Sequence, residues 1–153
     1  METTEEWSHP NVDGMRTKRR LLWHGILIFV FGLLAGAAVP VVVNPRMGVA
    51  AHVGGVMSGM FLLLVGLIWE GIKLPRTAAR TTFWLFLYAS HTGWLGQFLA
   101  AVFGTSRATP IGGAGFQGAP WQENLVYFVT GSFSIAIFLA CMLALWGLRK
   151  KSS

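Results

Sequence analysis

Two histidines, His52 and His91, lie inside long apolar runs of the chain. Imidazole is costly in hydrocarbon without a partner, and an ionisable residue within a membrane span is a functional candidate by default. At helical spacing, the face that carries His52 also carries Gly48, Gly55 and Gly59, a stripe nearly bare of side chains. Something flat or bulky can approach the backbone there. A neutral imidazole in such a setting serves either as a ligand for haem iron or as a buried structural group bonded to a polar partner. Haem requires an axial ligand, an apolar slot and basic or aromatic groups for its propionates. His52 supplies the nitrogen, Gly55 and Gly59 supply room, and Arg46, about one and a half turns above, supplies a cation. Other chemistries find no support. No His pair at i, i+4, no carboxylate beside a histidine and no thiolate cluster marks a zinc site. Ser58 and Ser90 lack the acid-oriented histidine of a serine nucleophile.

The elements that must position these groups follow from composition. Of the 153 residues, 54% are hydrophobic and 12% charged, and the apolar ones come in blocks. A bilayer span takes roughly 20 mostly apolar residues as helix. Four stretches qualify, at 21–43, 48–69, 81–103 and 125–148. Lipid offers no partner to an unpaired backbone, and no barrel-type alternation is visible, so the expected fold is an all-α integral membrane protein, a four-transmembrane-helix bundle. A polar tail (1–20) precedes the membrane domain (21–148), and a basic tail (149–153) follows it. Positive residues favour the cytoplasmic side. Arg16, Lys18, Arg19 and Arg20, then Lys73, Arg76 and Arg80, then Arg149, Lys150 and Lys151 place both termini and the middle connection there. The net charge of +6 is thus a topology signal, with no nucleic-acid partner implied. The expected location is the cell membrane, multi-pass.

Smaller features complete the expectation. The basic cluster, the first apolar run and Ala35-Gly36-Ala37-Ala38 imitate a signal peptide, but the run is longer than a usual signal core. Cys141 is the single cysteine, so no intrachain disulfide forms. The stretch 1–15, with His9, reads as a disordered tail. Trp23, Trp69, Trp84 and Trp121 fall near span ends, as an aromatic belt does. Gly32 with Gly36, and Gly55 with Gly59, have the four-residue spacing that brings membrane helices together. The connection 104–124 is long and glycine-rich; it is either a lid over a buried site or an interfacial loop. Along the third run, Trp84, Tyr88, His91, Trp94 and Phe98 share one face. Glu123, just before the fourth run, complements a helix dipole.

A resemblance enters on particular residues. Asn44-Pro45-Arg46-Met47-Gly48, then Ala50-Ala51-His52, then Gly55-x-Met57-Ser58-Gly59 resemble the hydroxylaminobenzene mutases. So do Phe103-Gly104-Thr105-Ser106, Pro110-Ile111, Gly113-Ala114-Gly115 and Trp121-Gln122-Glu123-Asn124-Leu125-Val126. The likeness covers about residues 21–148. A more distant one, to styrene oxide isomerase, rests on His24-Gly25-Ile26-Leu27 and the Ala-His…Gly-Met pattern at His52. The first likeness implies a membrane isomerase that turns hydroxylaminobenzene into 2-aminophenol by an intramolecular, Bamberger-type hydroxyl shift. The styrene oxide likeness implies a trimer with haem b, whose axial histidine matches His52 and whose ferric iron acts as Lewis acid. Ser58 stands where the relatives commonly carry Asn, and Phe98 falls near their distal tyrosine; both departures argue against an epoxide substrate. Tyr88, His91, Gln97 and Asn124 are then the candidate polar groups on the substrate side. Three alternatives stay open: a b-type cytochrome with His52 and His91 on one haem, an epoxide isomerase of the styrene oxide type, and a non-enzymatic membrane protein.

Overall fold

The structure, a computed structural model, describes residues 12–149. The expectations for His9 and the rest of 1–11, and for Lys150 and Lys151, lie outside those residues. Four helices follow in chain order: α1 (Val12–Ala38), α2 (Pro45–Ile68), α3 (Arg76–Phe103) and α4 (Pro120–Arg149). Among the described residues there is no strand. Single 3-10 turns at Val39–Val41 and Trp69–Gly71 finish α1 and α2.

Local chemistry sets the boundaries. α2 begins at Pro45, earlier than its apolar run, because Asn44 caps it: the Asn44 side chain accepts from the Met47 N–H at 3.2 Å. Pro45 then occupies the first helical position, where a missing N–H costs nothing. α3 ends where Gly104 takes φ 64° and donates its N–H to the Ala100 carbonyl at 3.0 Å, a left-handed cap that favours glycine. α4 starts at Pro120, so the connection is 104–119 and Trp121, Gln122 and Glu123 belong to the first turn of the helix.

The helices pack in sequence, α1 on α2, α2 on α3 and α3 on α4. Lys18 on α1 reaches Glu70 at 3.3 Å, and the Lys73 N–H donates to Gly147 of α4 at 3.1 Å. Both described termini therefore lie at one end of the bundle. An apolar cluster of Leu21, Leu62, Trp69, Phe83, Phe86 and Ala140 fills that end. A smaller one, Met47, Ala100, Ala101 and Val126, fills the other.

Three segments, Gly14–Val41, Pro45–Gly71 and Pro120–Arg149, are long and apolar enough to cross a membrane. The chain has the build of a helical membrane protein. α3 is not among the three, because Thr81, Thr82, Ser90, His91, Thr92 and Gln97 dilute its hydropathy. Several of these groups bond back to their own helix: Thr82 to the Ala78 carbonyl at 2.8 Å and Thr92 to that of Tyr88 at 2.7 Å. Packed against α2 and α4, α3 exposes fewer large apolar side chains than its neighbours do.

Candidate functional site

His52 projects from α2 against α1. Its Nδ1 lies 2.9 Å from the Gly32 carbonyl oxygen. A carbonyl can only accept, so Nδ1 carries a proton, and in the neutral ring the lone pair is then on Nε2. The ring rests on Gly36, where a Cβ would stand 2.6 Å from Nδ1. One carbonyl thus fixes the tautomer, and one absent side chain fixes the ring position. A second-sphere N–H···O=C bond of this kind is what a metal-ligating imidazole normally has.

The glycine stripe around His52 is taken up by helix crossing. A Cβ on Gly55 would lie 2.6 Å from the Gly32 Cα, and one on Gly59 2.7 Å from the Gly25 carbonyl oxygen and the Phe29 nitrogen. The room that the spacing of Gly55 and Gly59 offers is occupied by α1 itself. Gly48 faces Val39 and Val42. Arg46 is exposed, donates to the Ala114 carbonyl and lies over the Phe116 ring at 5.7 Å. In this chain its guanidinium holds the long connection.

On α3, Trp94 stacks between Phe31 and Phe98, with ring centroids 5.0 and 5.3 Å apart. The indole also touches the Gly55 position. Its Nε1–H is buried and without a partner among the described residues. Gln97 donates to the Gly93 carbonyl at 3.3 Å, and its amide abuts Gly54, next to the Gly55 crossing. Trp94 and Gln97 are therefore the α3 side chains closest to the His52 level.

The other candidates lie elsewhere. Tyr88 donates to the Ser132 hydroxyl at 2.8 Å on an exposed face. Asn124, exposed at the start of α4, accepts from Arg107 at 2.6 Å. His91 donates from Nδ1 to the Leu87 carbonyl at 2.8 Å and meets His24 edge-on, ring centroids 5.1 Å apart. His24 lies two turns of α1 from Gly32, roughly 12 Å at the helical rise. The two histidines singled out from the sequence do not converge; His91 pairs with a third, His24. Its signal was simply another imidazole early in the first run.

The long connection is folded and pinned at both ends. Asn44, fully buried, donates to the Gly112 carbonyl at 3.0 Å. The Glu123 carboxylate accepts from the Ser106 N–H at 3.1 Å, from Arg107 at 2.9 Å and from Gly118 at 3.0 Å. Its partners are loop amides, a more specific role than complementing the dipole of α4. Glu123→Gln replaces one acceptor oxygen by an N–H₂ that faces donors. Bonds to a charged group contribute about 1.5–3 kcal/mol. The variant is expected to melt several degrees lower and to be cut faster by protease within 104–119; an unchanged melting point and digestion pattern would refute the anchoring role.

Among the described residues no three of His, Cys, Asp and Glu gather as a metal-ion set. The site offers one nitrogen, Nε2 of His52, in an apolar setting. That donor set fits a metal whose other ligands come with it, as in a haem.

The styrene oxide isomerase family model matches residues 17–149. Hydroxylaminobenzene mutase HabB of Ectopseudomonas oleovorans is 42% identical over 132 residues, which cover 86% of this chain and 80% of that protein. Hydroxylaminobenzene mutase HabA of the same organism is 38% identical over 127 residues, covering 82% and 94%.

Proposed function

The chain belongs to the styrene oxide isomerase family and is an isomerase, and on that premise we propose that it converts hydroxylaminobenzene, or a close aryl hydroxylamine, to the 2-aminophenol within a membrane, with haem b held by His52. The N–O bond breaks, the oxygen joins the ortho ring carbon, and the proton displaced there is balanced by one gained at nitrogen. No electrons enter or leave overall. The observation that carries this reading is the His52 Nδ1–Gly32 contact, which leaves Nε2 as the nitrogen that would hold a haem iron.

A haem held by His52 would supply Lewis-acid polarisation of the N–O bond. The protein's own residues do the rest. Gly32 and Gly36 hold the imidazole in one tautomer and one place. Phe31, Trp94 and Phe98 offer an aromatic, water-poor wall that suits an aryl substrate, and dryness protects a reactive cation from bulk water. The Trp94 N–H and the Gln97 amide are the polar groups nearest that wall, ahead of Tyr88, His91 and Asn124. The relatives named hydroxylaminobenzene mutases favour a hydroxylamine over the epoxide of the family name. We read α3 as a fourth span, both termini as cytoplasmic, and the assembly as an oligomer, a trimer by resemblance.

The test is the absorption spectrum of the purified protein in detergent, ferric and then ferrous. A Soret band of the high-spin, open-position type is expected, with turnover of hydroxylaminobenzene to 2-aminophenol. Absence of the band after expression with ample haem supply would remove the mechanism. His91→Ala is expected to leave that spectrum unchanged, since His91 faces His24. A shift from low spin to high spin in that variant would instead establish the cytochrome reading, with His91 as second ligand.

A further inference from the structure

The end of the bundle that carries both described termini is strongly basic. Arg16, Lys18, Arg19 and Arg20 lie on α1, Lys73 lies in the connection between α2 and α3, Arg80 on α3 and Arg149 on α4. Glu70, the acid in the 3-10 turn there, is engaged by Lys18. Arg16, Arg19 and Arg20, all exposed, border a shallow, open recess together with Trp23. Among the described side chains none of these three guanidinium groups has an ion-pair partner. Three like charges around one recess attract an anion. Guanidinium forks match phosphate oxygens in pairs.

A second feature continues from the first. Arg16, Arg19, Trp23, Ile26, Val30 and Leu33 follow one another at alternating three- and four-residue spacing, a single face of α1. Below the arginines this face is apolar and uncovered: Trp23 is 62% exposed, Ile26 54%, Val30 41% and Leu33 48%. From Trp23 to Leu33 the stripe runs roughly 15 Å at the helical rise, about the hydrocarbon depth of one leaflet. A free phosphate has no use for such a stripe, whereas a phospholipid needs a cationic recess, an interfacial ring and an apolar track in that order. Trp23 sits between charge and hydrocarbon, the usual level of interfacial tryptophan. We propose that this face of α1 binds one anionic phospholipid, its phosphate among Arg16, Arg19 and Arg20 and one acyl chain along Ile26, Val30 and Leu33. The site rests on α1 crossing a membrane and is independent of the isomerase chemistry.

The full-length protein, reconstituted in nanodiscs with equal phosphatidylglycerol and phosphatidylcholine of the same chains, is released and its retained lipids counted by native mass spectrometry. Each guanidinium near an anionic headgroup contributes about fivefold, so three give a preference on the order of a hundredfold for phosphatidylglycerol. Arg16→Gln/Arg19→Gln/Arg20→Gln is expected to lose it. Lys73→Gln/Arg80→Gln/Arg149→Gln, which removes equal charge from the same end, is expected to keep it. Equal loss in the second variant would reduce the effect to general surface charge and overturn the site. Displacement of the lipid by millimolar inorganic phosphate would show a plain anion recess, which also overturns it. Preference that emerges only in Glu2→Gln/Glu5→Gln/Glu6→Gln would give the recess to the chain's own acidic segment. No retained lipid, with a changed subunit number in the arginine variant, would give the face to a second copy. The Soret band of the same samples reports on the haem separately, so failure of one proposal is not failure of the other.

Discussion

His52→Ala is expected to abolish the Soret band and to lower turnover of hydroxylaminobenzene on the order of a thousandfold, while the protein still inserts and keeps its helical content. Lewis-acid stabilisation contributes several kcal/mol to a transition state, and about 4 kcal/mol corresponds to that factor. The fold has little else at stake in the imidazole. Its hydrogen bond to α1, to the Gly32 carbonyl, contributes about 1 kcal/mol net. The crossing itself is made by backbone at Gly32, Gly55 and Gly59. Free imidazole added to the variant should restore part of the band and part of the rate, because the truncated side chain leaves a place for it. Full haem occupancy and normal turnover in His52→Ala would withdraw His52 as ligand and, with it, the proposed mechanism.

The second large effect is expected from a single methyl group. In Gly36→Ala the new Cβ would stand 2.6 Å from His52 Nδ1 and 3.0 Å from its Cγ, and the imidazole has no flexible end to swing aside. The ring must shift, and the hydrogen bond to the Gly32 carbonyl goes with it. Disturbing the second-sphere partner of a ligand typically costs 10–100-fold in metal affinity or activity. Haem retention and turnover are expected to fall by that much, with an overpacking cost to the fold of about 1–3 kcal/mol. Gly131→Ala is the matched control, since a Cβ there meets nothing within 4 Å. A Gly36→Ala protein with an unaltered spectrum and rate would show that the groove of Gly32 and Gly36 does not hold the ligand in place.

Much of the architecture is legible in the chain because its causes are local. Apolar runs of span length mark the helices, and hydrocarbon leaves the backbone few other choices. The ends of the helices needed more than hydropathy. Asn44-Pro45 is a cap followed by a first-turn proline, so α2 starts inside what the polar residues marked as a connection. Glu123 and Trp121 moved from the loop into α4, which opens on Pro120 at a position that tolerates a missing N–H. α3 carries polar side chains that bond to carbonyls of its own helix, Thr82 to Ala78 and Thr92 to Tyr88, and these lower its hydropathy below that of its neighbours.

The candidate site divides in the same way. His52 stands out in sequence because an imidazole in an apolar run is conspicuous, and so does the bareness of the face around it. Periodicity defines a face but not what covers it. Only the packed helices decided that α1 lies on Gly55 and Gly59, that Arg46 holds Ala114, and that His91 meets His24 while His52 meets Gly32. Those outcomes depend on the rotation and pairing of helices, which are set by contacts between residues far apart in the chain. Composition and spacing therefore determined the class of the protein and marked the His52 imidazole as a candidate. The tertiary structure decided which groups share its neighbourhood, because side-chain partners across a helix crossing are a property of two surfaces and are written in neither one alone.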